Sequence, residues 1–198
     1  PIVDVAGAGT KTLNIRLNGG IALTLANNAG VDAANGPIVA GTFTGVGDIL
    51  LRNNSNLIVD TNATLAGTID ADGGANRGTI TINGGKALTL NGVIGGNSPI
   101  NVVEIANTAT VNLNANATLT KFNLTGANAV LNVADTVEIT GAVDANGPGE
   151  GQLVFAGGGK VDGAIGANNA LALINATGAG AVNLGNGNAV NATLIKVS

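Results

Sequence analysis

The stretch "GTIDADGGANRGTITINGG" (67 to 85) returns with the same punctuation as "GAVDANGPGEGQLVFAGGG" (141 to 159). The match continues from "GVIGGNSPINVVEIANTATVNL" (92 to 113) to "GAIGANNALALINATGAGAVNL" (163 to 184) at a slightly shorter offset, and from "NATLTKF" (116 to 122) to "NATLIKV" (191 to 197) at a slightly longer one. Small changes of spacing at otherwise matching positions are insertions and deletions at corners. A shorter echo, "GVDAANG" (30 to 36) against "TIDADGG" (68 to 74), points to subunits of about half this size, within the roughly 20 to 50 residues of solenoid repeats. A solenoid repeats its sequence because every coil meets the same burial problem against its neighbours. A sandwich or barrel of hairpins, the structural alternative, does not normally do so.

Within each unit the dominant period is two: Leu13, Ile15, Leu17; Leu23, Leu25; Ile49, Leu51; Leu57, Val59; Ile80, Ile82; Leu88, Leu90; Val111, Leu113; Val137, Ile139; Leu171, Leu173; Val182, Leu184. Such alternation marks half-buried strands. Helical spacing is interrupted everywhere by Gly, Asn and Thr, so essentially no helix is expected. The strands are short and separated by "NGG" (18 to 20), "NNSN" (53 to 56), "DADGGANRG" (70 to 78) and "NGPGEG" (146 to 151). These clusters supply the positive φ angles of sharp corners. Stacked coils of about 20 to 25 residues, each rising about 4.8 Å, would number about eight or nine and make a rod around 40 Å long.

Composition fits that rod. Hydrophobic residues make up 45% of the chain, nearly all Val, Ile, Leu and Ala, with three Phe and no Trp, Tyr, Met or Cys. Small aliphatics fill a long narrow core. Charged residues are 10%, against about 25% in ordinary soluble domains, so solubility rests on outward Asn and Thr. Net charge is −4 and the Lys and Arg are scattered singly. With neither a basic stripe nor stacking aromatics, nucleic acid is a poor partner. No apolar run has the length of a membrane-spanning helix, so no membrane insertion is expected of this segment. The chain opens on Pro1 without an initiator Met or a secretory signal and is read as a piece of a longer one.

Reactive side chains are few. No His and no Cys are present, which removes the commonest general base and metal ligand and the strongest nucleophile. Asp70 and Asp72, with Asp144 and Asn146 in the second copy, could form a carboxylate pair for glycoside cleavage or offer oxygens to calcium. The corner reading, in which Asp and Asn bond the turning backbone, is preferred to both. "GGG" (157 to 159) is a corner, since no strand-to-helix unit follows it. Six Asn-x-Ser/Thr triplets (Asn53, Asn62, Asn116, Asn123, Asn175, Asn191) are attributed to an Asn- and Thr-rich composition. Thr-x-Thr at 10 to 12, 42 to 44, 79 to 81, 108 to 110 and 118 to 120 does not recur once per coil, as a flat ice-binding face would need. Lys11, Lys86, Lys121, Lys160 and Lys196 are read as isolated solvated charges that discourage edge pairing.

Residues 124 to 197, with "TGAVDANG", "GKVDGAIGANNAL" and "VNATLIKV", resemble a repeat unit of rickettsial surface-antigen autotransporters of the outer membrane protein A and B type. The resemblance covers residues 67 to 198. It implies a right-handed β-helical passenger segment at the bacterial cell surface, on the extracellular side of the outer membrane or released after cleavage. It further implies adhesion to and invasion of host cells, surface-layer formation and recognition by antibodies.

The chain is therefore expected to be an all-β, right-handed parallel β-helix. Residues 1 to 198 form one continuous fragment of a longer passenger, with units at about 67 to 140 and 141 to 198 and a divergent 1 to 66. The expected role is a rigid, non-catalytic rod with no catalytic, cofactor or metal residues. Its expected partners are a host-cell surface protein, antibodies and, in the surface-layer alternative, copies of itself. The rival from another class is a polysaccharide lyase or hydrolase, which would need a groove lined by several carboxylates and a Lys or Arg from neighbouring coils.

Overall fold

The computed structural model describes residues 48–51, 55–71 and 77–198, and before them the strands Ile15–Leu17, Ala22–Ala26, Val31–Asp32, Gly36–Pro37 and Phe43–Gly45. Asp72, Asn53, Lys11, the 10 to 12 triplet and Thr42 lie outside the described residues. The same is true of the corner at 18 to 20 and, in part, of those at 53 to 56 and 70 to 78. Among the described residues the structure is strand and turn, apart from one 3-10 turn at Gly185–Gly187.

Two sheets of eight strands each are built from parallel pairings. The short pair Val31–Asp32 and Gly36–Pro37 is antiparallel. Each described strand from Ile49 onward stacks on residues about one coil away, which rules out a sandwich of antiparallel hairpins and makes the fold a parallel β-helix.

Register defines three faces. On the first, Ile49, Ile69, Ile94, Ala117, Ile139, Val161 and Leu184 lie in one column. The second carries Leu57, Ile80, Val103, Phe122, Val143, Ile165 and Val190. The third carries Ala63, Leu88, Val111, Leu131, Leu153, Ile174 and Ile195. Six complete turns run from Ile49 to Leu184, and their lengths stay close to the coil size expected from the sequence.

The columns are the core. Ile80, Ile82, Leu88 and Leu90 are fully buried, while Thr79, Thr81 and Thr89 between them are only half-buried. Every second side chain therefore points inward, as the alternation requires. Burying one such Leu or Ile is worth about 1.5–3 kcal/mol relative to leaving it exposed. Stacking places like on like in successive coils, so small aliphatics fill most of the interior. The largest fully buried side chains are Phe122 and Phe155.

Strict alternation fails in one expected pair. In strand Leu171–Ala176 the buried residues are Leu171 and Ile174, and Leu173 is half-buried. The strand beneath it, Glu150–Phe155, kinks at Gly151, where φ is +71° and a Cβ would stand 2.5 Å from Leu124 Cβ. Only glycine adopts that conformation without strain. Strand Leu171–Ala176 follows the kink round a corner, and the inward phase resets. Gly78, with φ +76°, sits in the same way beneath Ile100–Ile105, where the adjacent Val102 and Val103 are both buried.

Candidate functional site

Three arrangements of polar side chains stand out on the rod. The first joins coils through a buried carboxylate. Asp70, beside the column residue Ile69, accepts hydrogen bonds from the backbone N–H of Asn97 (2.9 Å), from Asn97 Nδ2 (2.8 Å) and from Ser98 N–H (3.5 Å). Asp144, beside the column residue Val143, accepts from Asn168 Nδ2, from Asn169 N–H (3.2 Å) and from its own neighbour Ala145 N–H (3.1 Å). Both carboxylates are buried.

The bonds of Asp70 and most of those of Asp144 thus run to the loop of the next coil, whereas the corner reading placed them on their own turn. That loop replaces a strand. A single bridge, Ile69 to Ile94 in one copy and Val143 to Ile165 in the other, is followed by Gly95 or Gly166 with φ +64° or +60°. The chain then bulges outward through Gly96 and Asn97, or Ala167 and Asn168, which are exposed. A bulging loop carries backbone N–H groups that no neighbouring strand can accept, and the carboxylate supplies the acceptors. Neither Asn97 nor Asn168 was singled out in the sequence. The recurrence of Gly-Gly-Asn-Ser and Gly-Ala-Asn-Asn after an Ile was the signal that could have found them. Asn146 is exposed and its carbonyl accepts from Asn169 Nδ2 (3.2 Å).

The second arrangement is a shallow groove of about 450 Å³ lined by Asp135, Glu138, Lys160 and Asn183 with the Gly158–Gly159 backbone. Lys160 is not isolated. Its Nζ lies 2.8 Å from Glu138 Oε1 on one coil and 2.8 Å from Asp162 Oδ1 on its own. Hydrogen bonds to Asp162 and then Glu138 hold the ammonium above its ordinary range, and the same Lys160 holds Asp162 below the usual carboxylate range. Asp135 accepts from Gly158 N–H at 2.6 Å. The groove is open, and its two lining carboxylates, Asp135 and Glu138, outnumber its one ammonium, Lys160.

The third arrangement is a set of ladders. On the third face Asn132 Nδ2 donates to Asn112 Oδ1 (2.8 Å), and Asn112 Nδ2 to Thr89 Oγ1 (3.3 Å). At the following corner Asn114 Nδ2 donates to Asn91 Oδ1 (2.8 Å). Several asparagines of the Asn-x-Ser/Thr triplets are built into this scheme. Asn62 accepts from Ala87 N–H (3.0 Å), Asn116 accepts from Glu138 N–H (2.9 Å), and Asn191 donates to the Gly166 carbonyl (3.0 Å). Asn123, buried, donates to Glu104 at 2.6 Å. Thr79 and Thr81 stack on Val102 and Glu104, so no threonine ladder forms there.

Among the described residues no three His, Cys, Asp or Glu are grouped to hold a metal ion, and no helix is long and apolar enough to cross a membrane. The arrangement offers hydrogen-bonding surface, protruding neutral loops and one ionic cluster in which a single ammonium bridges two carboxylates.

No protein-family model matches the chain, and no solved structure matches it. Outer membrane protein A of Rickettsia rickettsii is 34% identical over 201 aligned residues. The alignment takes in 100% of this chain and 8% of that relative, so the chain spans a small fraction of the protein it matches. Over its whole length the chain is a homologue of a segment of that rickettsial outer membrane protein, in keeping with the surface-antigen resemblance carried by residues 67 to 198.

Proposed function

We propose that the chain is a segment of a surface-displayed rod, a passenger of the autotransporter kind. It holds adhesive and antigenic surface away from the bacterial outer membrane for contact with host cells. The observation that carries this reading is the full-length similarity to Outer membrane protein A, joined to a fold whose side chains are either spent in an aliphatic core or turned outward as neutral hydrogen-bonding rows. Stacked coils make a stiff, extended object. A broad polar surface of this kind binds by area and hydrogen bonds, in the manner of protein interfaces with polar rims.

The groove at Lys160 is the feature a polysaccharide lyase or hydrolase would need, since Asp135, Glu138, Lys160 and Asn183 come from neighbouring coils. Its electrostatics favour the non-catalytic reading. A general base works best with a pKa near the working pH, and the two carboxylates around Lys160 push its pKa further from neutrality. Asp162 is held ionised, so it is a poor general acid.

Binding of the purified chain to intact mammalian cells tests the proposal. A variant carrying Thr89→Lys, Asn112→Lys and Asn132→Lys serves as control for the third-face ladder. Saturable binding reduced at least tenfold in the variant is the expected result. Equal, non-saturable attachment of both would make the segment a spacer or surface-layer rod.

A further inference from the structure

Four Asn-Gly dipeptides stand among the described residues, beginning at Asn83, Asn91, Asn146 and Asn186. An Asn followed by Gly can lose its side-chain amide, because no Cβ keeps the glycine nitrogen away from the asparagine Cγ. Two of the four are guarded. Asn83 Nδ2 donates to Asp60 (3.0 Å), and Asn91 Oδ1 accepts from Asn114 (2.8 Å). Asn186 is exposed but unassisted. Its turn closes on main chain, Asn188 N–H to the Gly185 carbonyl at 2.6 Å, and among the described residues no carboxylate accepts from Gly187 N–H.

Asn146 differs from all three. Its side chain is exposed and has no hydrogen-bond partner among the described residues, and the next N–H, that of Gly147, donates to Glu150 Oε2 at 3.0 Å. A turn holds the carboxyl there. Glu150 N–H returns to the Gly147 carbonyl (3.3 Å) across Pro148, a residue that presets the backbone at the second position of a turn. A Cβ on Gly147 would stand 3.2 Å from Glu150 Cδ, so the carboxyl lies against that glycine. A carboxylate within hydrogen-bond reach of the proton to be removed has the geometry of a general base. Nucleophile and electrophile sit on adjacent residues, so they need no encounter.

The two sequence copies vary these positions together. Where the second copy has Asn146 and Glu150, the first has Asp72 and Asn76. The acid is encoded where the base is missing.

We propose that Asn146 is a self-modification site, converted to an acid by the Gly147 nitrogen with Glu150 as general base. Glu150 takes the Gly147 N–H proton as the nitrogen bonds to Asn146 Cγ. The Cγ–Nδ2 bond then breaks, and Nδ2 leaves as ammonia carrying that proton, which restores the Glu150 carboxylate. Water opens the resulting cyclic imide at either carbonyl and leaves aspartate or isoaspartate at position 146. The product adds a negative charge to an exposed corner that already carries Glu150. Surface charge on the rod thus records the age of the chain, whatever that surface binds.

The test holds the whole purified chain at neutral pH and body temperature. Samples are digested in mild acid, and peptide mass spectrometry reads amide loss at Asn146 and Asn186 in the same digest. Asn146 is expected to convert at least about tenfold faster than Asn186. Glu150→Gln, whose side-chain carbonyl can still accept from Gly147 N–H, is expected to slow Asn146 at least about tenfold and to leave Asn186 unchanged. Circular dichroism establishes that the variant is folded. Equal rates at the two sites of the native chain, or a folded Glu150→Gln that converts Asn146 at the native rate, overturn the inference.

Discussion

Strand Ala117–Leu124 and strand Ala192–Val197 carry almost the same residues, "ATLTKF" and "ATLIKV", in opposite circumstances. In the inner strand Leu119 is 4% and Phe122 0% exposed. In the outer one Leu194 is 55% and Val197 81% exposed. The inner strand is paired on both sides, with Ile100–Ile105 and Val137–Ala145. Among the described residues the outer one is the last in its sheet and pairs only with Leu171–Ala176. Burial in this fold is conferred by the next coil, because a single coil has no inside of its own.

The largest effect expected from that contrast is at the ring. Phe122→Ala should lower the unfolding free energy by about 3–5 kcal/mol, since stacked neighbours cannot collapse into the cavity. Val197→Ala at the matching position should stay within about 0.5 kcal/mol. Urea denaturation of the two variants checks this, and equal losses would break the comparison. A middle-sized effect belongs to the buried anchor. Asp144→Ala leaves Asn168, Asn169 N–H and Ala145 N–H without their acceptor, at about 1–3 kcal/mol. Lys196→Ala on the outer strand should be near neutral in the same assay.

The smallest effect is the pH response of the Glu138–Lys160–Asp162 cluster, whose charges are solvent-facing and screened. Asp162 is lowered on folding. Its contribution is present above the unfolded carboxylate value, about 3.9, and is lost as pH falls through the folded one. Lys160 is raised on folding. Its contribution is complete below the unfolded lysine value, about 10.4, and is lost as pH rises through the folded one. The difference in melting temperature between the native chain and Lys160→Met should therefore be widest near neutrality and narrow at both ends. A difference that stays flat from strong acid to strong base would remove the ion pairs from the account.

Much of the fold was legible because period two and the recurrence of corners are properties of neighbouring residues. Ile80, Ile82, Leu88 and Leu90 point inward for the reason the alternation states. Leu173 defeated the pattern because the kink that resets it lies one coil earlier, at Gly151, and no local rule looks a whole coil back. The anchors were half legible. Asp70 and Asp144 were singled out, but their partners Asn97 and Asn168 sit 27 and 24 residues ahead and become neighbours only on stacking. Lys160 read as isolated partly for the same reason, since Glu138 is 22 residues away along the chain, but its other partner, Asp162, stands only two residues on and was open to a local reading.

The amide ladders have a consequence for the medium in which such a rod can work. A bond from Asn132 to Asn112, or from Asn114 to Asn91, joins uncharged groups. Salt shortens the reach of interactions between exposed ions but has little hold on an amide giving a proton to an amide. A surface stitched in this way keeps the same shape in dilute fluid and in brine.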